Sequence, residues 1–388
     1  MPGKKEHRSH HPKHQAHHHK KSKVKAAGWW PLISFGRAWR RLRKSRWWIR
    51  WPAYIIIAYA VIVSVSWLVD EAMPKVKDPQ FGVSFSIEYA EELGNNWRAN
   101  YQALLNDLGF KRLRLMSYWE LVEPQKGKYD FKDLDWQFAQ ANAHHAKITL
   151  AIGLRQPRWP ECHEPNWAKA DPIESAAWKA NLYSFITTVV NHYKNNPALE
   201  SYQLENEPEN NWFGGCREGA APKSRLSYEF NMVKKLDPSH PVWMSLSDEH
   251  GLPLGKPVPD AYGFSIYRVV YSTNTPIHFY ITYPITDWYH RLRVWLIKEI
   301  QHRPVYVHEL QLEPWGSKPT EDLTIAQQNK SMSVAQIHKS IAYSEKTGIR
   351  LQYMWGGEWW YWRKTHFNDS GPWNAIKEEL KAAQANSN

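Results

Sequence analysis

From residue 80 onward the chain switches repeatedly between two hydrophobic periods. "FGVSFSI" (81–87) is rich in β-formers, and Trp97, Tyr101, Leu104, Leu105 and Leu108 then recur at helical spacing. "KRLRLMSYW" (111–119) reads as a second strand and 131–146 as a helix. "KITLAIGL" (147–154) is a nearly continuous apolar run, of the kind a strand covered on both faces needs. Trp178, Leu182, Phe185, Ile186, Val189 and Tyr193 mark the next helix. Further strands are predicted at "LESYQLENE" (199–207), "PVWMSLS" (241–247), "DAYGFSIY" (260–267), "RPVYVHEL" (303–310) and "GIRLQYMWG" (348–356). Helical patterns separate most of them, at 224–236, 285–301, 325–346 and 374–384. Strands alternating with helices imply a parallel sheet of the α/β class, and eight such units close into a (β/α)₈ TIM barrel. An open doubly wound sheet is the alternative. It is weakened because no Gly-rich phosphate loop follows the first strand.

A different pattern precedes the barrel. "WPAYIIIAYAVIVSVSWLV" (51–69) carries no charge. A run of this length can span a bilayer as a helix, because its backbone groups satisfy one another internally. Trp47, Trp48, Trp51 and Trp67 sit at its two ends, where indoles prefer the water–lipid interface. Arg37, Arg40, Arg41, Arg43, Lys44, Arg46 and Arg50 precede it, so the positive-inside rule keeps that side cytoplasmic. A cleaved signal peptide would have a shorter apolar region and a small-residue site after it, and none follows Val69. The segment is therefore expected to be a signal anchor, with the barrel outside the cytoplasm.

Charge sharpens this division. The net charge of +12 is confined to the N-terminal arm, since residues 1–52 hold 15 Lys/Arg against the single acid Glu6. "MPGKKEHRSHHPKHQAHHHKKSKVK" has no apolar periodicity and repelling like charges, so residues 1–50 read as a disordered, solvated tail. A metal-binding histidine tract is the sharper alternative. The expected organisation is a cytoplasmic tail (1–50), a membrane span (51–69), a linker (70–79) and the barrel (80–388). Cys162 and Cys216 are the only cysteines. In an oxidising compartment they can form one bridge, expected between the loops after the third and fourth strands. A two-cysteine metal site would need further ligands that the sequence does not place.

Chemistry in a barrel of this kind sits where strands end. Those ends read "RLMSYWELVEP", "GLRQPRWPECHEP", "ENEPENNW", "SIYR", "VHELQLEPW" and "MWGGEWWYW", crowded with carboxylates, aromatics, Arg and Asn. "LENEP" closing the fourth strand and "VYVHELQ" closing the seventh resemble the paired glutamates of clan A glycoside hydrolases, and of the cellulase-like family 5 in particular. The resemblance covers roughly residues 80–384. It implies that Glu207 is the acid/base and Glu309 the nucleophile of a retaining hydrolysis of a β-linked glycan. Such a mechanism needs two carboxyls about 5–5.5 Å apart, one to protonate the leaving oxygen and one to attack the anomeric carbon. Glu207 would have to keep its proton near neutrality, which an ionised Glu309 beside it favours.

The resemblance further implies that Asn206 binds the sugar 2-hydroxyl and that Arg114 and Tyr267 support the nucleophile. Trp355 would lie under the cleaved sugar. Trp119, Trp159, Trp212, Trp315, Trp359 and Trp360 are further stacking candidates, with ordinary packing the competing reading. Glu205 reads as a paired layer residue and Glu209 as a solvated loop charge. Glu313, four residues past Glu309 and also near a proline, is the rival nucleophile. Two departures stand out. Many clan members place a His two residues before the sixth-strand Tyr, where this chain has Ser265. The third strand ends in Gly153 and Arg155 where a His is common.

No cofactor and no metal is called for. The expected partners are an oligo- or polysaccharide and, through residues 51–69, a lipid bilayer. Nucleic acid is not expected, although the basic arm would attract phosphates. The alternative function is a catalytically inactive, membrane-anchored glycan-binding protein on a TIM-barrel scaffold.

Overall fold

Each predicted strand of the barrel is present in the structure, a computed structural model that describes residues 46–72, 76, 78–210, 215–217, 221–247, 255–273 and 277–387. The barrel strands are β1 (Gln80–Phe85), β2 (Arg112–Met116), β3 (Lys147–Ile152), β4 (Leu199–Leu204), β5 (Val242–Leu246), β6 (Ala261–Ile266), β9 (Val305–Gln311) and β10 (Leu351–Trp355). They close in the order β1-β10-β9-β6-β5-β4-β3-β2, every pairing parallel. This is a TIM barrel. Alternation along each strand sorts the side chains. In β2, Leu113 and Leu115 turn outward into the apolar layer under the helices, while Arg114 turns inward to Ser84 and Gln203 of neighbouring strands. Much of the barrel interior is polar, with neighbouring side chains paired across the strands. Thr149 Oγ1, for example, lies 2.8 Å from Ser201 Oγ and 2.7 Å from the Tyr353 hydroxyl.

The helices begin where the sequence supplies caps. Asn96 accepts from the Ala99 N–H to start Trp97–Asn106, and Ser175 accepts from Trp178 N–H to start Ala176–Tyr193. The helix pattern at 325–346 is in fact two helices, Ile325–Ser331 and Val334–Lys346. Ser333 caps the second by accepting from Gln336 N–H, which resets the backbone in mid-pattern. Two elements escape the sequence pattern. Between β6 and the helix Asp287–Gln301 lies a hairpin, β7 (Val269–Ser272) with β8 (Phe279–Thr282). After β10 the chain enters the helix Gly357–His366, which buries Trp359 and Trp360.

The chain divides into two units at Val65/Ser66. The first contains most of the helix Trp47–Ala72, whose stretch Trp47–Val65 is long and apolar enough to cross a membrane. Trp47, Trp48 and Trp51 are all exposed, as are Ile55, Ile56 and Val61. The histidine-rich tail and the basic run before Arg46 lie outside the described residues.

One buried carboxylate joins two loops at the C-terminal mouth. Glu205, just past β4, accepts the N–H groups of Leu154 (2.9 Å) and Arg155 (2.7 Å) and an Arg225 Nη1 contact (3.3 Å). The carboxylate presses so close to Gly153 (φ +105°) that any Cβ there would lie 2.6 Å from Glu205 Oε1. Glu205 is thus the paired residue its position suggests, while Glu209 stays exposed beside Lys223 at 3.6 Å. Replacing Glu205 with Ala leaves two buried N–H groups and part of the Arg225 charge without a partner. We expect a loss of about 3–5 kcal/mol in urea unfolding, and a change below about 1 kcal/mol would contradict this reading.

Candidate active site

The site is assembled around Arg114, which is fully buried in the barrel. Its Nη1 donates to Glu309 Oε1 at 3.1 Å and to the His308 carbonyl at 3.1 Å. Its Nη2 donates to Asn206 Oδ1 at 2.9 Å, and its Nε to Gln203 Oε1 at 2.6 Å. A single guanidinium therefore fixes β9 against the end of β4. Tyr267, immediately after β6, donates its hydroxyl to Glu309 Oε2 at 2.9 Å. Burial would raise the Glu309 pKa, but His308, Arg114 and Tyr267 outweigh it and hold the carboxyl at about 2. Glu309 is an anion at any physiological pH.

His308 and Glu309 are consecutive, so a regular strand would send them to opposite faces. It does not. Against β6, Phe264 pairs with Val307 but Ser265 pairs with Glu309. Against β10, Gln352 pairs with Val307 but Met354 pairs with Leu310. Both neighbours thus record one extra residue in β9 at this point, a β-bulge of the kind that re-aims side chains next to active sites. The bulge turns His308 and Glu309 inward together, with His308 Nδ1 3.4 Å from Glu309 Oε1.

Glu207 approaches from the other side. Its backbone is left-handed (φ 41°), as is that of Glu205 (φ 56°), a conformation that costs a non-glycine residue energy and is retained where surroundings impose it. Ser245 Oγ accepts its N–H at 2.9 Å. Ser265 Oγ donates to Oε1 at 2.8 Å, and Asn210 Nδ2 to Oε2 at 3.1 Å. His308 Nε2 lies 3.6 Å from the same Oε1. One imidazole therefore touches both glutamates.

A cleft of about 690 Å³ opens over Glu309, lined also by Tyr267, Trp355, Trp159, Trp315 and Glu161. Glu207 does not line it. Glu207 is only 7% exposed. Trp159 is 61% exposed. Trp355 ends β10 as expected, but the Arg158 guanidinium lies 4.0 Å from its ring centre and 3.7 Å from that of Tyr89. Part of the indole face is thereby taken by a cation. Arg158 also grips Glu313 with both nitrogens (2.5 and 3.1 Å) and reaches Glu358 at 3.1 Å. Glu313 is consequently tied to an arginine of the β3 loop, and Glu309 alone of the two faces Arg114 and Tyr267.

Trp119 does not belong to the site. It is wholly buried, stacked on Phe185 with ring centres 5.5 Å apart, and its indole N–H donates to Glu123. Trp359 and Trp360 are likewise core residues, because the chain turns helical after β10 and carries them away from the mouth. Trp212 lies outside the described residues.

The β3 loop adds a third carboxyl. Glu161 accepts from Asn206 Nδ2 at 2.9 Å and from Arg155 at 2.7 Å. Burial raises its pKa against the pull of Arg155, and the charges of Glu207 and Glu309 add to the rise. The neighbouring Cys162 is disulfide-bonded to Cys216, with Cα atoms 5.3 Å apart, joining the loops after β3 and β4. Among the described residues, one group could hold a cation: Glu88, Glu120 and His163, with ligand atoms within 4.8 Å of one another. The His163 Nδ1 already meets both carboxylates, at 3.3 and 3.0 Å, which accounts for the cluster as a hydrogen-bonded pair.

Comparison with known proteins adds a family context. A family model described as Beta-galactosidase, of the glycoside hydrolase 42 type, matches residues 89–218. No curated protein matches the sequence. Among solved structures, an exo-beta-1,4-mannosidase from Opitutaceae bacterium strain TAV5 superposes with a TM-score of 0.53 at 14% identity, covering 79% of this chain and 60% of that one. Xylanase 10B from Thermotoga maritima gives 0.52 at 15% identity, covering 80% and 97%. GH5_18 from Bifidobacterium longum subsp. longum gives 0.50 at 13% identity, covering 72% and 69%. The chain thus spans less than two thirds of the mannosidase's length. The chain resembles clan A glycoside hydrolases.

Beside that resemblance, three residues of the site carry no sequence signal of their own. Arg158 and Glu161 sit in an irregular loop, where no periodicity indicates which side chain turns inward. His308 reads as an ordinary strand position until the bulge is known. Because the Cys162–Cys216 bridge anchors that loop across 54 residues, converting both to Ser should lower stability by up to about 4 kcal/mol. Thermal melts with and without reductant, alongside peptide mapping, check this; free thiols in protein exported under oxidising conditions would contradict it.

Proposed function

We propose that this protein is a membrane-anchored, extracytoplasmic O-glycosyl hydrolase that cleaves a β-linked glycan with retention of configuration. The observation that carries this reading is the pair Glu207 and Glu309, facing the same imidazole from opposite sides at the C-terminal mouth of the barrel. Retention is taken from the resemblance to clan A enzymes, since a double displacement requires carboxyls about 5–5.5 Å apart rather than the wider spacing of an inverting pair.

Each residue then has a part. Glu309, held ionised, attacks the anomeric carbon while Glu207 delivers a proton to the departing oxygen. A glycosyl ester forms on Glu309 and the leaving group departs. Glu207, now a carboxylate, takes a proton from water as that water attacks the ester, and Glu309 is regenerated. Asn206, fixed by Arg114, is placed to bind the sugar beside the reacting carbon, and Trp159 and Trp315 offer apolar faces along the cleft. The names of the structural neighbours suggest mannosides, xylosides and galactosides as the first substrates to screen.

The anchor reading rests on the apolar stretch Trp47–Val65 behind a basic arm, and the disulfide is consistent with an oxidising compartment. Protease added to intact cells should remove the barrel. Complete protection would refute this topology.

The catalytic assignment predicts two different rescues. Glu309→Gly should lose at least about 10⁴-fold in hydrolysis, with azide restoring turnover only as an inverted glycosyl adduct. Glu207→Ala should keep turnover of aryl glycosides with activated leaving groups, which need no proton, and azide should there yield a retained adduct. An inverted product from the unmodified enzyme would overturn the mechanism. Full activity in Glu309→Gly with a dead Glu313→Gly would move the nucleophile.

A further inference from the structure

We infer that His308 is a positioning residue that serves as the shared counter-charge of both glutamates through the catalytic cycle. The inference rests on the hydrolase reading above, and it assigns to the β9 bulge a function beyond placing Glu309.

Geometry defines the ring's two ends. Nε2 meets two acceptors, the Leu246 carbonyl at 3.3 Å and Glu207 Oε1 at 3.6 Å, so it carries a hydrogen. Nδ1 meets one acceptor, Glu309 Oε1 at 3.4 Å, and one donor, Arg114 Nη2 at 3.3 Å. With a hydrogen on Nδ1, the ring is a cation that donates to Glu309. Without one, the ring is neutral and accepts from Arg114. Either state leaves no polar atom of the buried ring without a partner, which is what allows a wholly enclosed imidazole to carry a variable charge.

The hydrolysis moves negative charge across this ring. In the free enzyme the charge is on Glu309, at the Nδ1 end. In the glycosyl–enzyme intermediate Glu309 is an ester and the charge is on Glu207, at the Nε2 end. A cation between them stays within 3.6 Å of the charge in both states, and nothing has to reorganise as it moves. The other groups packed around the ring fit this division. Arg114 from β2 faces the Nδ1 end, and the Leu246 carbonyl from β5 the Nε2 end. Tyr267 and Ser265, after and within β6, each donate to one glutamate, Tyr267 to Glu309 and Ser265 to Glu207. Glu161 from the β3 loop shares the same enclosure, where burial raises its pKa against the pull of Arg155 and favours its neutral form. Ser265 occupies the position where a sixth-strand imidazole was missed in the sequence. The imidazole is supplied instead from the adjacent strand, at a bulge that lets two consecutive side chains turn inward.

The test uses the full chain in detergent and two readouts. His308→Gln keeps a hydrogen-bonding side chain but cannot carry charge. On an aryl glycoside with an activated leaving group, kcat should fall about 100-fold with KM changing less than about threefold. The acid limb of kcat/KM should move up by at least about one pH unit, because Glu309 loses the imidazole that helps hold its pKa down. A residue that only fills space would lower kcat without moving the limb, and that result overturns the inference.

The second readout is independent of turnover and of any change at His308. Carbon NMR of labelled glutamate locates the Glu309 carboxyl titration in the unmodified chain, and nitrogen NMR of labelled histidine follows the His308 ring. Glu207→Gln should shift the Nε2 signal, and Glu309→Gln should shift Nδ1. Ring signals indifferent to both substitutions overturn the inference, including where His308→Gln fails to fold. If the unmodified chain hydrolyses no glycoside in a broad panel, the hydrolase reading falls while this readout still decides whether one ring serves both carboxyls.

Discussion

The mouth of the barrel depends on one buried cation. Arg114 has no solvent exposure, and an isolated charge in that position would cost several kcal/mol or more. Its nitrogens instead meet Ser84 of β1, Gln203 and Asn206 at the end of β4, and His308 and Glu309 of β9. Four of the eight strands are thereby cross-braced through a single planar group whose fork geometry permits little rotation. Glu309 inherits its position and its charge from this brace. An inward-facing polar side chain at each of these positions is what the brace demands of the sequence.

Two local distortions complete what a regular barrel cannot supply. The bulge in β9 breaks the alternation of faces so that His308 and Glu309 share one side. The left-handed backbones of Glu205 and Glu207 turn the end of β4 sharply enough to send one carboxylate down to Arg225 and the next toward Ser265. Strain of this kind persists only where surrounding bonds over-determine it. The hydrogen bonds that hold Glu205 and Glu207 do so, and they tie the strained turn to the β3 loop that carries Arg158 and Glu161. Glu205, Glu207 and Glu209, crowded into five residues, thus resolve into a structural ion pair, a site residue and a solvated charge.

The barrel was legible because its strands are buried on the outer face by apolar residues and its helices carry one stripe each, so period alone separates them. The ends of strands four and seven were legible for another reason: Asn206, Glu207 and Glu309 terminate strands in a pattern that resembles a known family. What escaped has physical causes. Trp119 is aromatic and near a strand end, but a short helical turn carries it into the core, and no periodicity distinguishes that from a platform. The β7–β8 hairpin is too short to stand out beside β6. Arg158 takes part of the face of Trp355 from within an irregular loop, and the inward turn of His308 requires a register shift that pairing alone reveals.

The central claim is that Glu309 is the carboxylate that becomes covalently bound to the sugar. Incubation with a 2-deoxy-2-fluoro glycoside bearing an activated leaving group slows the second displacement and lets the ester accumulate. Mass spectrometry of the digested protein should then find one equivalent of fluorosugar on the peptide containing Glu309, located to that residue by fragmentation. A label on Glu313, or steady release of the free 2-deoxy-2-fluoro sugar with no labelled protein at any time, would contradict the account.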